Sequence, residues 1–203
     1  MSACRAPRRL ANRRRATVPA LAAAAAALIL SACGSGVSGG SAETKFVQGK
    51  GGVETVAKGD RSHGPKLDGE TLTGDKLDVA SYKGKIVVLN VWSSTCSPCR
   101  AEAPNLAKVA KETKGDVQFV GINTREPSQA PAIKFEKEFA VGYPSLYDPM
   151  GDLTLRFPKG SLNPQAIPTT IVLDRDGNIA ARALKALSEE SLRDMLDPLI
   201  AEK

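Results

Sequence analysis

Between Lys85 and Trp92 the chain reads KIVVLNVW, an almost unbroken apolar, largely β-branched run interrupted inside by a single amide, Asn90. Such a run has no polar face. It predicts a strand covered on both sides, at the centre of a layered α/β fold. Four residues after Trp92 begins CSPC, two cysteines three apart, and Leu106, Val109 and Ala110 then follow at helical spacing in a stretch rich in Ala, Lys and Glu. The pair therefore sits where a buried strand hands over to a helix that begins near Cys96. The first N–H groups of a helix have no intrahelical acceptor, and together with the helix dipole they favour an anion; a thiol placed there falls from about 8.5 to about 3.5–7.5. Cys96 is accordingly read as the reactive thiolate. Cys99, one turn on, lies on the same face, within bonding reach and more shielded. Pro98 suits a first helical turn, where its missing N–H costs nothing, and Ser97 and Pro98 tune the reduction potential through the hydrogen bonding around the sulfur.

The amino end fixes the compartment. MSACRAPRRLANRRRATVPALAAAAAALILSAC opens with six arginines and no acid, runs apolar from Val18 to Leu30, and reaches Leu30, Ser31, Ala32 and Cys33. Charged, apolar and small residues in that order read as a secretory signal. The apolar run of about 13 residues is short of the roughly 20 that a membrane-spanning helix needs. Two export readings stand, the general route and, from Arg8-Arg9 and Arg13-Arg14-Arg15, the twin-arginine route. The whole chain carries a formal +6, and the leader's six arginines account for all of it. A near-neutral mature protein lacks the basic stripe that phosphate-backbone binding needs, so nucleic acid is not an expected partner.

Four cysteines are present: Cys4 belongs to the leader, Cys33 to its end, and only Cys96 and Cys99 remain. A disulfide scaffold for a small secreted fold needs several separated pairs, and a bond closing so short a loop adds little entropic stabilisation. A zinc site needs four ligands, usually Cys and His, and the single histidine, His63, stands far upstream. No metal and no cofactor are expected. Redox chemistry is what remains for the pair.

The rest reads as one domain. SGVSGGSAETKFVQGKGG is Gly- and Ser-rich, a flexible tether. Residues from about Val53 to Leu77 read as an added amino-terminal hairpin, VQFVGIN (Val117 to Asn123) as a second central strand, and Ala132, Phe135 and Phe139 as a helix face. GYPSLYDPMGDLTLRF reads as a loop with a short helix, with Tyr143, Tyr147 and Phe157 as packing residues. IVLDRDGNIAA is a hairpin turning at Asp176-Gly177. Ser188 caps a last helix with Leu192, Leu196, Leu199 and Ile200 facing inward, and Pro104 is expected to kink the helix that follows the cysteines. The expected divisions are a leader over 1–32, a tether over 33–52 and a folded domain over 53–203.

From Leu67 to about Ile200 the chain resembles the thioredoxin superfamily, and most closely its exported, membrane-tethered TlpA/ResA-like branch. The resemblance rests on LDGETLTGDKLDVASYKGKIVVLNVWSSTCSPCRAEAP, with its Leu-Asp-Gly hairpin, Lys-Gly-Lys turn, Cys-x-Pro-Cys pair and Arg-x-Glu-x-Pro, and on AIPTTIVLDRDGNIAAR. It implies a three-layer fold with a central mixed sheet, helices on both faces and the added hairpin. It implies a cis bond at Ile167–Pro168, whose non-helical backbone faces Cys96 and aligns a substrate's cysteine; the other reading of Pro168 is the plain start of a strand. Trp92, Thr95, Ile167 and Pro168 would line the substrate side. Leu-Ser-Ala-Cys resembles a lipobox, which would put lipid on Cys33 and hold the protein to the outer face of a bacterial cell membrane; an ordinary signal peptide is the alternative.

Two residues depart from the superfamily pattern. Thr95 stands where an aromatic usually precedes the first cysteine, and Asn90 stands where thioredoxin has a buried aspartate. Exported relatives instead carry an acid three residues past the second cysteine, which Glu102 matches; it is read either as a proton shuttle that raises the thiol pKa values or as a solvated helix glutamate. The implied activity is dithiol-disulfide exchange, reducing apocytochrome c or a copper-site assembly protein with electrons from a CcdA-type membrane donor. A peroxiredoxin-like peroxidase and a copper or haem carrier are the alternatives.

Overall fold

The computed structural model describes residues 44–202. The leader, Cys4, Cys33 and the first part of the expected tether lie outside them. In chain order the elements are β1 (Val47–Gln48), β2 (Val53–Thr55), β3 (Asp68–Glu70), β4 (Lys76–Asp78), β5 (Ile86–Trp92), α1 (Ser97–Glu112), β6 (Val117–Thr124), α2 (Gln129–Glu138), β7 (Ser145–Asp148), β8 (Thr169–Leu173), β9 (Ile179–Ala183) and α3 (Glu189–Ala201). Seven strands form one mixed sheet in the order β1-β2-β9-β8-β5-β6-β7. β5 lies parallel to β6 and antiparallel to β8, and all seven of its residues are buried.

The alternation of side chains along β5 divides the core. Ile86 and Val88 pack with Leu106 and Val109 of α1 and with Leu192, Met195, Leu196 and Leu199 of α3. Val87, Leu89 and Val91 pack on the other face with Leu67, Val79, Leu153 and Phe157, which belong to the 3-10 turns at Val79–Tyr82 and Thr154–Arg156 and to the chain beside them. The middle layer is apolar on both faces because both are covered. α2 packs beside α1, with Ala132 and Phe135 against Trp92, Cys99 and Ala103. α1 runs on through Pro104 as one helix.

Three local expectations need correction. The hairpin expected over Val53 to Leu77 is two separate ribbons: β1 and β2 extend the main sheet through β9, whereas β3 and β4 form a two-stranded sheet of their own. β1 lies inside the stretch read as tether, so sheet structure is already present before Val53. The loop expected around Tyr143 to Phe157 contains β7, a buried edge strand parallel to β6; four residues flanked by prolines are too short to show a period. The β8–β9 hairpin does turn at Gly177, at φ +85°, where a glycine carries no Cβ penalty. Ser188 caps α3 by accepting from the Ser191 N–H.

Strand direction positions the site. A parallel β5–β6 pair requires a crossover, which α1 supplies. Trp92 pairs with Asn123, Thr124 with Asp148, and Val91 with Thr169. The segments leaving β5, β6 and β7 and the segment entering β8 therefore meet at one edge of the sheet, the edge where open α/β sheets bind their ligands.

Candidate active site

Cys96 is the N-cap of α1 and is joined to Cys99 by a disulfide, with the two Cα atoms 5.2 Å apart. Its Sγ accepts the Cys99 N–H at 3.2 Å, and its own N–H donates to the Ser93 carbonyl at 3.2 Å. The sulfur thus lies against the unpaired donors of a helix start, where negative charge is stabilised. Cys96 is half-buried, whereas Cys99 is 1 % exposed. Only one sulfur is open to attack. The other sulfur lies one turn behind it, shielded.

Behind Cys99 the structure holds a carboxyl group. Glu102 is 1 % exposed, which excludes the solvated reading. Its Oε1 accepts from Asn90 Nδ2 at 2.8 Å and its Oε2 from the Leu187 N–H at 2.9 Å. Burial pushes this carboxyl up to about 7, against the opposing pull of the Leu187 and Asn90 hydrogen bonds. Asn90 also donates to Thr170 Oγ1 at 3.1 Å, so β5, α1, β8 and the segment before α3 meet on one buried polar group. A small cavity of about 10 Å³, about the room one water needs, touches both Cys99 and Asn90.

The remaining expected residues divide. Thr95, Ser97 and Pro98 are exposed around Cys96. The Ile167–Pro168 bond is cis, and Ile167 and Cys96 pack against the same cluster, which contains Trp92 and Cys99. Trp92 itself is corrected: at 4 % exposure, with its ring stacked on Phe135 at 4.3 Å, it is a packing residue beneath the site and not part of its surface. His63 faces Asn178 at the far end of the sheet. Beside it opens a larger cavity of about 300 Å³, remote from the cysteines. Among the described residues no group of three or more His, Cys, Asp or Glu is placed to hold a metal ion.

Sequence reasoning missed two features. One is the Asn90–Glu102 bond, although a lone amide inside a buried strand demands a partner and gave the signal. The other is Glu126, 2 % exposed, whose Oε1 accepts from the Ser94 N–H at 2.6 Å and from the Ser93 hydroxyl at 3.1 Å. Nothing in the spacing of residues 93 and 126 announces that contact.

Residues 57–197 match the Redoxin family model. The chain is 27 % identical over 147 residues to the thiol-disulfide oxidoreductase ResA of Bacillus subtilis, covering 72 % of this chain and 78 % of that protein. It is similar to the crystal structure of a DsbF homologue from Corynebacterium diphtheriae, at 34 % identity and a TM-score of 0.69, covering 77 % of this chain and all of that one. A secreted thiol-disulfide isomerase from Corynebacterium glutamicum is similar at 29 % identity and a TM-score of 0.70, over 78 % of this chain and 98 % of that one. With the fold, the disulfide at the helix start and these likenesses together, the chain belongs to the Redoxin family of the thioredoxin superfamily and is a ResA-like dithiol-disulfide oxidoreductase.

Proposed function

We propose that this oxidoreductase works outside the cytoplasm as a reductant of protein disulfides. The observation that carries the reading is the inequality of the two sulfurs: Cys96 accessible at a helix start, Cys99 buried, and a buried carboxyl on the same helix three residues further on. In the reduced enzyme the Cys96 thiolate attacks one sulfur of a substrate disulfide. An enzyme–substrate S–S bond forms, the substrate's bond breaks, and the departing substrate sulfur leaves as a thiolate that takes up a proton. Cys99 then gives its proton toward Glu102, three residues further along the same helix, and attacks Cys96. The second substrate thiolate leaves, the substrate has gained two electrons, and the enzyme holds the Cys96–Cys99 disulfide. A carboxyl poised near neutral pH suits both acceptance and return of that proton. Ile167, beside the cis-proline, offers its backbone N–H and C=O to an extended substrate, Pro168 holds that backbone away from helical geometry, and Thr95 and Ser97 line the approach.

Export and tethering belong to the same proposal. The leader over 1–32 is removed, Cys33 carries lipid, and a tether ending near Val47 holds the domain at the outer face of a bacterial cell membrane. The name of the C. glutamicum relative, a secreted protein, agrees with export. No helix among the described residues is long and apolar enough to cross a membrane. The candidate substrates are apocytochrome c and copper-site assembly proteins, with a CcdA-type membrane protein as electron source.

The test is the reduction potential of the pair, read by alkylation and mass shift across thiol–disulfide buffers. A reductant gives a value near about −270 mV; a value near about −120 mV would make it an oxidant of secreted proteins and overturn the direction proposed.

A further inference from the structure

Of the four segments that meet at the active edge of the sheet, the one after β6 touches the segment leaving β5 and the segment entering β8 through adjacent residues. Glu126 fixes the turn that leads into Cys96: its Oε1 accepts from the Ser94 N–H at 2.6 Å and from the Ser93 hydroxyl at 3.1 Å. The Ser93 hydroxyl lies 3.1 Å from Thr95 Oγ1, and the Ser93 carbonyl accepts the Cys96 N–H. Glu126 is itself held from behind, its carbonyl accepting from the Tyr147 hydroxyl at 3.0 Å. Arg125 reaches the other way. Its Nη2 donates to the Pro164 carbonyl at 2.8 Å, in the turn closed by the Ala166 N–H on Asn163 O that runs into Ile167–Pro168. Arg125 also stands at φ +59°, a left-handed conformation that a residue with a Cβ adopts only where its surroundings impose it. Two adjacent side chains that the exchange chemistry does not use, Arg125 and Glu126, thus each hold one of the two walls between which a substrate must lie.

We propose that Arg125 and Glu126 form a clamp that sets the spacing between Cys96 and the Ile167 backbone, and so act as positioning residues for extended polypeptide disulfides. The inference rests on the reading that such a substrate lies between these walls. A small disulfide needs only the Cys96 sulfur, whereas a disulfide within a polypeptide needs the sulfur and the backbone edge in register. Loss of the clamp should therefore separate the two substrates, which a general loss of stability would not.

The test compares the full-length chain in detergent with its Arg125→Ala, Glu126→Ala, Glu126→Gln and Arg125→Ala/Glu126→Ala variants. The substrates are hydroxyethyl disulfide and a peptide closed by an internal disulfide. Misplacement of one wall should lower kcat/KM for the peptide about tenfold in Arg125→Ala and Glu126→Ala, and that for hydroxyethyl disulfide less than about threefold. Glu126→Gln should stay within about threefold of the wild type on the peptide, because a single amide oxygen can accept both bonds that Oε1 accepts now. The double variant should lose about as much as the worse single one, since both residues serve one spacing. Equal losses on the two substrates, a Glu126→Gln as slow as Glu126→Ala, or fully multiplied losses would overturn the clamp. If Glu126→Ala does not fold, Arg125→Ala alone must discriminate between the substrates, and its failure to do so overturns the proposal. A wild type that reduces hydroxyethyl disulfide but not the peptide would instead remove the groove on which the clamp rests.

Discussion

Glu102→Gln separates the charge of this side chain from its shape. The ordinary value of the carboxyl is 4.5, and burial pushes it up to about 7. Between those values the native protein holds a proton that the unfolded chain has released. Stability changes with pH as protons bound unfolded minus protons bound native, here minus one, so it falls as pH rises. The contribution is fully present below about pH 4.5 and is lost as pH rises through about 7. At about 1.36 kcal/mol per pKa unit, a gap of roughly 2.5 units removes about 3 kcal/mol across that window. The full conversion is warranted because the group is 1 % exposed and little screened by water. Glutamine has no such proton. Its single oxygen can accept from Asn90 or from Leu187 but not from both, a pH-independent cost of about 1–3 kcal/mol that cancels when each protein is compared with itself. The assay is urea unfolding of the disulfide form, in which neither thiol titrates, at about pH 5 and about pH 8, with midpoints and slopes extrapolated to water. Because about pH 5 already lies above 4.5, part of the window is missed, and the wild type should lose about 2.5 kcal/mol more than the variant between the two conditions. Parallel losses would show that Glu102 titrates as an ordinary carboxyl, and the proton role built on its burial would fall with it.

The other outcomes are simpler to read. Cys99→Ser should trap substrate as a mixed disulfide on Cys96, visible as a mass adduct that reductant removes, whereas Cys96→Ser should give none; an adduct on Cys99 would reverse the assigned roles. Trp92→Ala should cost about 3–5 kcal/mol in urea unfolding, the usual penalty for emptying a buried aromatic site. A loss below about 1 kcal/mol, paired with weaker substrate binding, would return Trp92 to the substrate surface from which its burial removed it.

What the sequence announced was local, or carried by a continuous pattern. β5 was legible because a strand covered on both faces has no polar period to confuse it, and Cys96 and Cys99 were legible because strand, pair and helix follow one another within a few residues. The β8–β9 hairpin and the Ser188 cap were legible for the same reason, since turn and cap chemistry act over two or three positions. β7 was not, because an edge strand of four residues between prolines has neither length nor period. Nor was the role of Trp92 or Glu126: each is decided by a partner far along the chain, Phe135 for one and Ser93 and Ser94 for the other, and only the closed sheet brings them together.

The buried pair of Asn90 and Glu102 shows how such distant choices constrain one another. By resemblance, thioredoxin keeps its buried carboxyl on the central strand, at the position that Asn90 occupies here. In this chain the carboxyl comes from α1 and lands on Asn90, at 2.8 Å. An acid at both positions would set two like charges in contact within a dry core and force one of them to stay protonated. An apolar residue at 90 would leave Oε1 without its donor, at a cost of about 1–3 kcal/mol or more for a charged group. The amide avoids both: it adds no charge, pairs with the carboxyl in either protonation state, and itself lines the small cavity that reaches Cys99. The departure at position 90 and the acid at position 102 are therefore one feature of the core. A change at either should be read through its effect on the other.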